Sequence, residues 1–278
     1  MQTGEHTEVD ALWRNAWAYD LEDGQFAADI PYWRGLVERA RPKRVLEMAC
    51  GTGRITLPLA ETGLAQDPAF ELVAFDYSPN LLTRADEKLA AAEPGIQQAV
   101  TFREADMRTF DVDGAFDLVI CGFNGLAYLH TIDDQLACLA NVRRHLAPGG
   151  RLAIDLVMPH FDFLAEATSP VPVVRMDVDE VAPEPGIARL RRTYSDSYDP
   201  ASQTLTSAYT HEVYHDDGRQ QRWADDLTWH MYFPNELEML LRQAGLAAGE
   251  RHGDYRQAPW GPRSRQYLWV IEATGNAS

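Results

Sequence analysis

The chain has 278 residues, enough for one large domain or two small ones, and 45% of them are hydrophobic, ample for a packed core. Its 42 acidic residues against 25 Lys plus Arg give a formal net charge of -17, a field that repels phosphate backbones and anionic membranes, so neither nucleic acid nor a membrane is expected as a partner. No stretch approaches the ~20 apolar residues of a membrane span. The polar, acidic start from Met1 to Asp10 is not expected to act as a secretion signal, and three scattered cysteines with no C-x-x-C fit a reducing cytoplasm and no zinc site.

In chain order, Trp13, Trp17 and Trp33 fall in a helical N-terminal stretch, where they read as one packed face of an amphipathic helix pair, while Tyr19 beside them is read as functional. The run Val45-Leu46-Glu47-Met48-Ala49-Cys50-Gly51-Thr52-Gly53-Arg54 follows. A short apolar strand ends on a carboxylate, passes through a glycine turn and opens a helix, which is expected to close at Gly63. Small residues let a nucleotide-like ligand lie against the backbone, and the helix start offers N–H groups. A dinucleotide fingerprint wants G-x-G-x-x-G, but position 56 is Thr56. Without that third glycine the loop suits a cofactor with an amino-acid tail, S-adenosylmethionine.

Phe70 to Asp76 is an apolar run ending on an acid, followed by a helix with Ser78 as N-cap and Pro79 in its first turn. Ala99 to Arg103 reads as a short strand leading to Glu104-Ala105-Asp106-Met107, and Phe116 to Cys121 as a buried strand. Asp134 to Leu146 has helical spacing, and Pro148-Gly149-Gly150 turns into a strand from Arg151 to Val157. Five such strands with helices between them predict a doubly wound parallel sheet with right-handed crossovers. Beyond His160 the helical periodicity fades. Ala188–Tyr198, Thr204–His215 and Arg222–Phe233, rich in Tyr, Thr, Val and Trp and separated by turn-like Asp199-Pro200-Ala201-Ser202 and Asp216-Asp217-Gly218, predict an inserted antiparallel sheet, a lid. Pro234 starts a helix capped by Gly245, and Ala247–Tyr255 with Arg265–Ala273 completes a mostly parallel, seven-stranded, Rossmann-like α/β sheet. The expected organisation is a helical cap over residues 1–43, a cofactor-binding core over 44–159, the antiparallel β lid over 160–233, and the last helix and two strands over 234–278.

Asp76, roughly twenty residues past the glycine loop, can accept from both ribose hydroxyls of an adenosine ligand. Asp106 can accept from an adenine amino group, with the Met107 backbone beside it. These landmarks, with Phe116-Asp117-Leu118-Val119-Ile120 and Leu146-Ala147-Pro148-Gly149-Gly150-Arg151-Leu152, stand in the order and spacing of the class I S-adenosylmethionine-dependent methyltransferases, which the chain resembles over Arg44 to Val157. Ala49 departs from the pattern, since many members carry glycine there. The resemblance implies S-adenosylmethionine as cofactor, with Glu47 acting indirectly near its amino-acid tail. It also implies that Tyr19-Asp20, with Asp29-Ile30-Pro31-Tyr32-Trp33 following, folds over it, where an aromatic face beside a sulfonium has a cation–π rationale. The candidate cofactor-binding residues are Tyr19, Glu47, Ala49, Gly51 and Gly53, then Asp76, Tyr77, Asp106, Met107 and Phe123.

The substrate side is expected in Phe123-Asn124-Gly125-Leu126-Ala127-Tyr128-Leu129, after the fourth strand, at the sheet edge where ligands bind. Asn124 can orient a polar group and Tyr128 can hydrogen-bond a nucleophile. The layout resembles amino-sugar N,N-dimethyltransferases and glycine N-methyltransferase, although the sugar enzymes can place a histidine at the position aligned with Tyr128. Trp229 is a further substrate-side candidate, and Tyr128, His211 and His230 are the candidates for proton handling. His211 and His215 have the i, i+4 spacing of a helical metal site. On a strand, four steps of ~3.3 Å put their rings about 13 Å apart, too far to share an ion, so no metal is expected. The resulting expectation is methyl transfer to N or O of a small molecule by in-line displacement. The competing readings are a non-catalytic S-adenosylmethionine-binding protein and, further off, a nucleotide-dependent oxidoreductase. An open edge of the inserted sheet also offers a homodimer contact.

Overall fold

The computed structural model describes residues 16–24, 26–180 and 185–274. Trp13 and the Met1 to Asp10 segment lie outside them. The chain divides into two units, one of Phe26–Met158 with Tyr232–Ser278 and one of Met1–Gln25 with Pro159–Met231. The stretch expected as a single N-terminal cap is thus shared, its first helix grouped with the inserted sheet and its second with the core.

The larger unit is a seven-stranded sheet. Its parallel strands are β1 (Arg44–Met48), β2 (Glu71–Asp76), β3 (Val100–Glu104), β4 (Phe116–Cys121) and β5 (Leu146–Val157). Two further strands, β10 (Leu246–His252) and β11 (Gln266–Ala273), follow the insertion, and the spatial order is β10-β11-β5-β4-β1-β2-β3. Strand β11 runs antiparallel between β5 and β10, and all other neighbours except that pair are parallel. The chain steps one way from β1 to β3 and the other way from β1 to β4 and β5. Right-handed crossovers therefore put helices on both faces, and the β1/β4 seam becomes the switch point. Trp33, Leu36, Val45, Leu59 and Leu118 pack between the sheet and helices α2 (Ile30–Ala40) and α3 (Thr56–Gln66).

Several expected boundaries move, among them the strand ends expected at Phe233 and Tyr255, which fall at His230 and His252. Helix α3 runs through Gly63 to Gln66. Gly63 serves packing instead of termination, because a Cβ there would stand 2.4 Å from the Phe70 ring. Pro148-Gly149-Gly150 lies within β5, where pairing jumps from Phe116↔Leu146 to Leu118↔Arg151, so these residues, with Ala147, form a bulge opposite Asp117. Gly150 is required there: a Cβ would come 2.6 Å from the Phe116 carbonyl oxygen. Helix α4 (Pro79–Ala90) begins as the sequence reads, with the Leu81 N–H donating to Ser78 Oγ. Short α5 (Pro94–Ala99) precedes β3, and Thr131 caps α6 (Ile132–His145) through its hydroxyl. Helix α8 (Pro234–Gln243) ends before Gly245, whose φ is +72°.

The smaller unit holds α1 (Ala16–Glu22), α7 (Phe161–Ala167) and a four-stranded antiparallel meander, β6 (Arg175–Glu180), β7 (Ile187–Asp199), β8 (Thr204–His215) and β9 (Gln220–His230). Neither α7 nor β6 is legible in the sequence, since a seven-residue helix and an edge strand rich in Asp lack periodic signal. Leu21, Val178, Ile187, Leu190 and Val213 form its core, with Trp17 and Trp223 against it. The end of α1 is held by charge. Arg192, with only 10% of its side chain exposed, donates to Asp177 at 2.7 Å, Asp23 at 2.8 Å and Glu22 at 3.3 Å.

Candidate cofactor and substrate site

The loop after β1 is built from left-handed residues. Ala49, Gly51 and Gly53 have φ of +53°, +56° and +75°. A Cβ on Gly53 would approach the Phe102 ring to 3.0 Å, so its smallness is needed as well as its freedom. Ala49 adopts the same region with a Cβ in place, at a cost of about 1–2 kcal/mol. Part of this returns if glycine is substituted, because glycine also loosens the unfolded chain. Ala49→Gly is therefore expected to raise stability by roughly 0.5–1 kcal/mol, read as an increased urea midpoint with unchanged slope.

Asp76 locks this loop to the next. Its carboxylate accepts from the Gly51 N–H at 2.8 Å and the Ser78 N–H at 2.9 Å. Burial pushes this carboxyl up, while the Ser78, Gly51 and Tyr77 N–H groups pull the other way. A carboxylate has about four lone-pair sites, so these three N–H groups still leave acceptor capacity for ribose. Tyr77 follows on the same turn, half-buried. At the end of β3, Asp106 accepts a forked bond from Arg108, whose other terminus reaches Asp134 at 3.1 Å. The carboxyl expected to meet adenine is thereby oriented by its own neighbour. Met107 stands between them, half-buried.

Glu47 and Thr56 form a pair across the loop. The Thr56 hydroxyl donates to Glu47 at 2.7 Å, and both residues are buried. The side chain that replaces a third glycine thus caps the strand-end acid. Desolvation lifts the Glu47 carboxyl to about 8.

After β4, Phe123 and Asn124 are consecutive left-handed residues, φ +47° and +62°. The turn is stapled to β5: Phe123 N–H donates to the Asp155 carboxylate, Asn124 N–H to the Asp155 carbonyl at 3.0 Å, and Val157 N–H to Asn124 Oδ1 at 2.6 Å. The amide oxygen of Asn124 is therefore occupied in holding its own turn. Tyr128 closes the following 3-10 turn, Gly125–Tyr128, and is half-buried.

Two features of this edge escape the sequence reading. Asp155, 2% exposed, also accepts from the Tyr255 hydroxyl at 2.8 Å, and desolvation lifts its carboxyl to about 7. Fully buried Asp29 holds Arg54 with two bonds, at 2.7 and 2.8 Å, while the Arg54 guanidinium lies over the Phe123 ring at 4.8 Å. The signal for Asp155 was present as one acid inside the otherwise apolar run Leu152 to Val157. The Arg54–Asp29 pairing joins distant segments and leaves no local mark.

Both raised carboxyls carry a consequence for stability. The folded chain keeps protons on Glu47 and Asp155 that the unfolded chain, with ordinary carboxyls near 4, has already lost. Below that range both states are protonated and the two groups contribute nothing. Stability then falls as pH rises from about 4 to 8, through the raised values. Asp155→Asn is expected to flatten that fall, checked by urea denaturation at pH 5 and pH 8.

The remaining candidates belong to the smaller unit. Tyr19 lies on α1, and Trp229 and His230 on β9. His211 stands on β8 with Nδ1 2.6 Å from Glu22 and Nε2 3.5 Å from Asp225, its ring stacked on Trp223 at 4.8 Å. That environment engages both ring nitrogens. His211 and His215 share a strand, as their β-rich surroundings indicate, and among the described residues no three His, Cys, Asp or Glu side chains converge as metal ligands.

Comparison with known proteins agrees with this geometry. Residues 45–150 match the family described as "Methyltransferase domain". The cypemycin N-terminal methyltransferase of a Streptomyces species is 27% identical over 267 residues, covering 92% of this chain and 94% of that one. Demethylmenaquinone methyltransferase of Thermus thermophilus is 37% identical over 142 residues, 49% of this chain and 59% of that one. A putative methyltransferase of Bacillus subtilis is likewise spanned over only 51% of its length, so the chain spans about half of several curated relatives that it matches. Among solved structures, the CcbJ methyltransferase of Streptomyces caelestis superposes with a TM-score of 0.72 at 24% identity, over 92% of this chain and 96% of that one, which establishes the shared fold. With its matched family model, its relatives and its loop geometry in agreement, residues 45–150 form a methyltransferase domain, and over most of its length the chain is similar to named methyltransferases.

Proposed function

We propose that this protein transfers a methyl group from S-adenosylmethionine to the nitrogen of a small-molecule amine, with a hydroxyl oxygen as the second acceptor class. The observation that carries the reading is the Asp76 clasp: one buried strand-end carboxylate organises the left-handed loop and keeps acceptor capacity for ribose. Relatives named for amine methylation support nitrogen, among them the cypemycin enzyme, a glycine/sarcosine N-methyltransferase and an amino-sugar N,N-dimethyltransferase.

S-adenosylmethionine supplies an electrophilic methyl on a sulfonium, and this chain's residues position it. Glu47, Ala49, Gly51 and Gly53 would line the amino-acid tail, Asp76 and Tyr77 the ribose, and Asp106 and Met107 the adenine. Phe123 and Asn124 would border the reacting end, where the Asn124 amide NH2, its oxygen being engaged, is the group left to orient a substrate. In-line attack needs the nucleophile held at ~3–3.5 Å with water removed, and a neutral amine requires little further help. Tyr128 is assigned to the acceptor. Tyr128→Phe is expected to lower kcat by about 10–100-fold with unchanged cofactor affinity; equal turnover would demote the hydroxyl to packing. Tyr19, Trp229, His211 and His230 are the remaining candidates for substrate and cofactor contact, to be ranked by alanine substitution and steady-state kinetics.

Cytoplasmic residence accords with three buried, unpaired cysteines, and no described helix is long and apolar enough to cross a membrane. Strands β6 and β9 end their sheet on either side, and a homodimer through one of them would appear as twice the monomer mass in light scattering. The primary test is calorimetric titration with S-adenosylhomocysteine and, in parallel, NAD, followed by a methyl-transfer screen over small amines and hydroxyl compounds. Micromolar binding of the former alone with transfer to an amine supports the proposal. A preference for NAD overturns it, and binding without transfer to any acceptor makes the protein a non-catalytic binder.

A further inference from the structure

The buried charges at the C-terminal edge of β1 and β5 do not balance. Arg54 is committed to Asp29 by a two-pronged ion pair, with side chains 10% and 0% exposed. Glu47 and Asp155, each 2% exposed, are satisfied instead by neutral donors: the Thr56 hydroxyl for the first, the Tyr255 hydroxyl and the Phe123 N–H for the second. The groups that bear on Glu47 are Arg54 ahead of α3, Asp29 ahead of α2 and Asp76 on β2. Those that bear on Asp155 are Asp29, Arg54 and the Tyr255 hydroxyl between β10 and β11. The Cys121 thiol on β4 feels both carboxyls and is itself held protonated by burial. One guanidinium thus faces three carboxyls in a water-poor setting, with a fourth, Asp76, beside Glu47. Ionising both Glu47 and Asp155 would leave two uncompensated buried charges, a costly state.

The methyl donor and its product differ by one charge. S-adenosylmethionine has a sulfonium where S-adenosylhomocysteine has a neutral thioether, and their ammonium, carboxylate and adenosine parts are the same. We infer that Glu47 and Asp155 act as a charge-reading pair, one of them giving up its proton to solvent when the sulfonium cofactor enters and taking one back once the thioether is formed. The pair thereby favours donor over product and aids product release. The inference rests on the methyltransferase reading. It follows from the charge imbalance, since an entering cation supplies the compensation that the free protein lacks. The carboxyl values of about 8 and about 7 put the exchange in the neutral range.

The test is calorimetry of the full-length protein with S-adenosylmethionine and S-adenosylhomocysteine, each in phosphate and in Tris at pH 7.5, with affinities repeated from pH 6 to 9. The expected result is release of about half a proton more with the donor than with the product. The donor-to-product affinity ratio should rise by up to about tenfold per pH unit between pH 6 and 8 and then level off. In the isosteric variants Glu47→Gln and Asp155→Asn, each checked for fold by circular dichroism, the difference should shrink. Equal proton release for the two ligands overturns the inference and leaves the functional reading standing, as does a difference that persists undiminished in both variants. Binding of neither ligand overturns the functional reading, and the inference with it.

Discussion

Asp76→Ala is expected to weaken S-adenosylhomocysteine binding by at least ~1.5 kcal/mol, more than tenfold, because two hydrogen bonds from ribose to a charged acceptor are lost. The structure adds a second effect. The Gly51 and Ser78 N–H groups, both bonded to Asp76, lose their acceptor, each at a cost of about 1–3 kcal/mol if water does not replace it. Affinity and melting temperature should therefore fall together. Asp76→Asn retains one carbonyl oxygen and should recover part of the stability and little of the affinity. An unchanged dissociation constant in either variant would remove Asp76 from the cofactor site.

Asp29→Ala is expected to be the most destabilising single change at this edge, by about 3–5 kcal/mol in urea denaturation, because it strands a buried guanidinium. Arg54 would keep the Phe26 carbonyl at 2.7 Å and its stacking on Phe123, which compensate only in part. The Trp33 indole N–H, which donates to Asp29 at 3.3 Å, would also lose its acceptor. The double variant Asp29→Asn with Arg54→Met should be closer to wild type than either single change, because both charges leave together. An additive double variant would show that the pair contributes no coupling.

The two positions differ in how visible they are from sequence. Asp76 is legible because its role is local: an acid ending an apolar run, followed by a serine cap and a proline, implies a strand end and a helix start. The glycine loop, Ser78 and the strand limits of β4 and β8 are legible for the same reason, since backbone periodicity and capping act over a few residues. Gly63 shows where local rules mislead. A glycine late in a helical pattern reads as a stop, and only the Phe70 ring packed against it shows that the position demands smallness. Asp106 has a comparable history, for its Arg108 partner is two residues away yet the fork between them depends on how the loop folds.

By itself the sequence determined the alternation of strands and helices, the doubly wound sheet, the inserted antiparallel strands and the cofactor class. These follow from hydrophobic period, turn chemistry and the spacing of a glycine loop from strand-end acids, all properties of neighbouring residues. The tertiary structure alone decided which charges share a buried space. Asp29 meets Arg54, Tyr255 meets Asp155, and Arg192 gathers Glu22, Asp23 and Asp177, across separations that carry no periodic signal. The physical reason is that electrostatic energy depends on distance and desolvation, which are set only when the sheet has formed and water has been expelled from its edge.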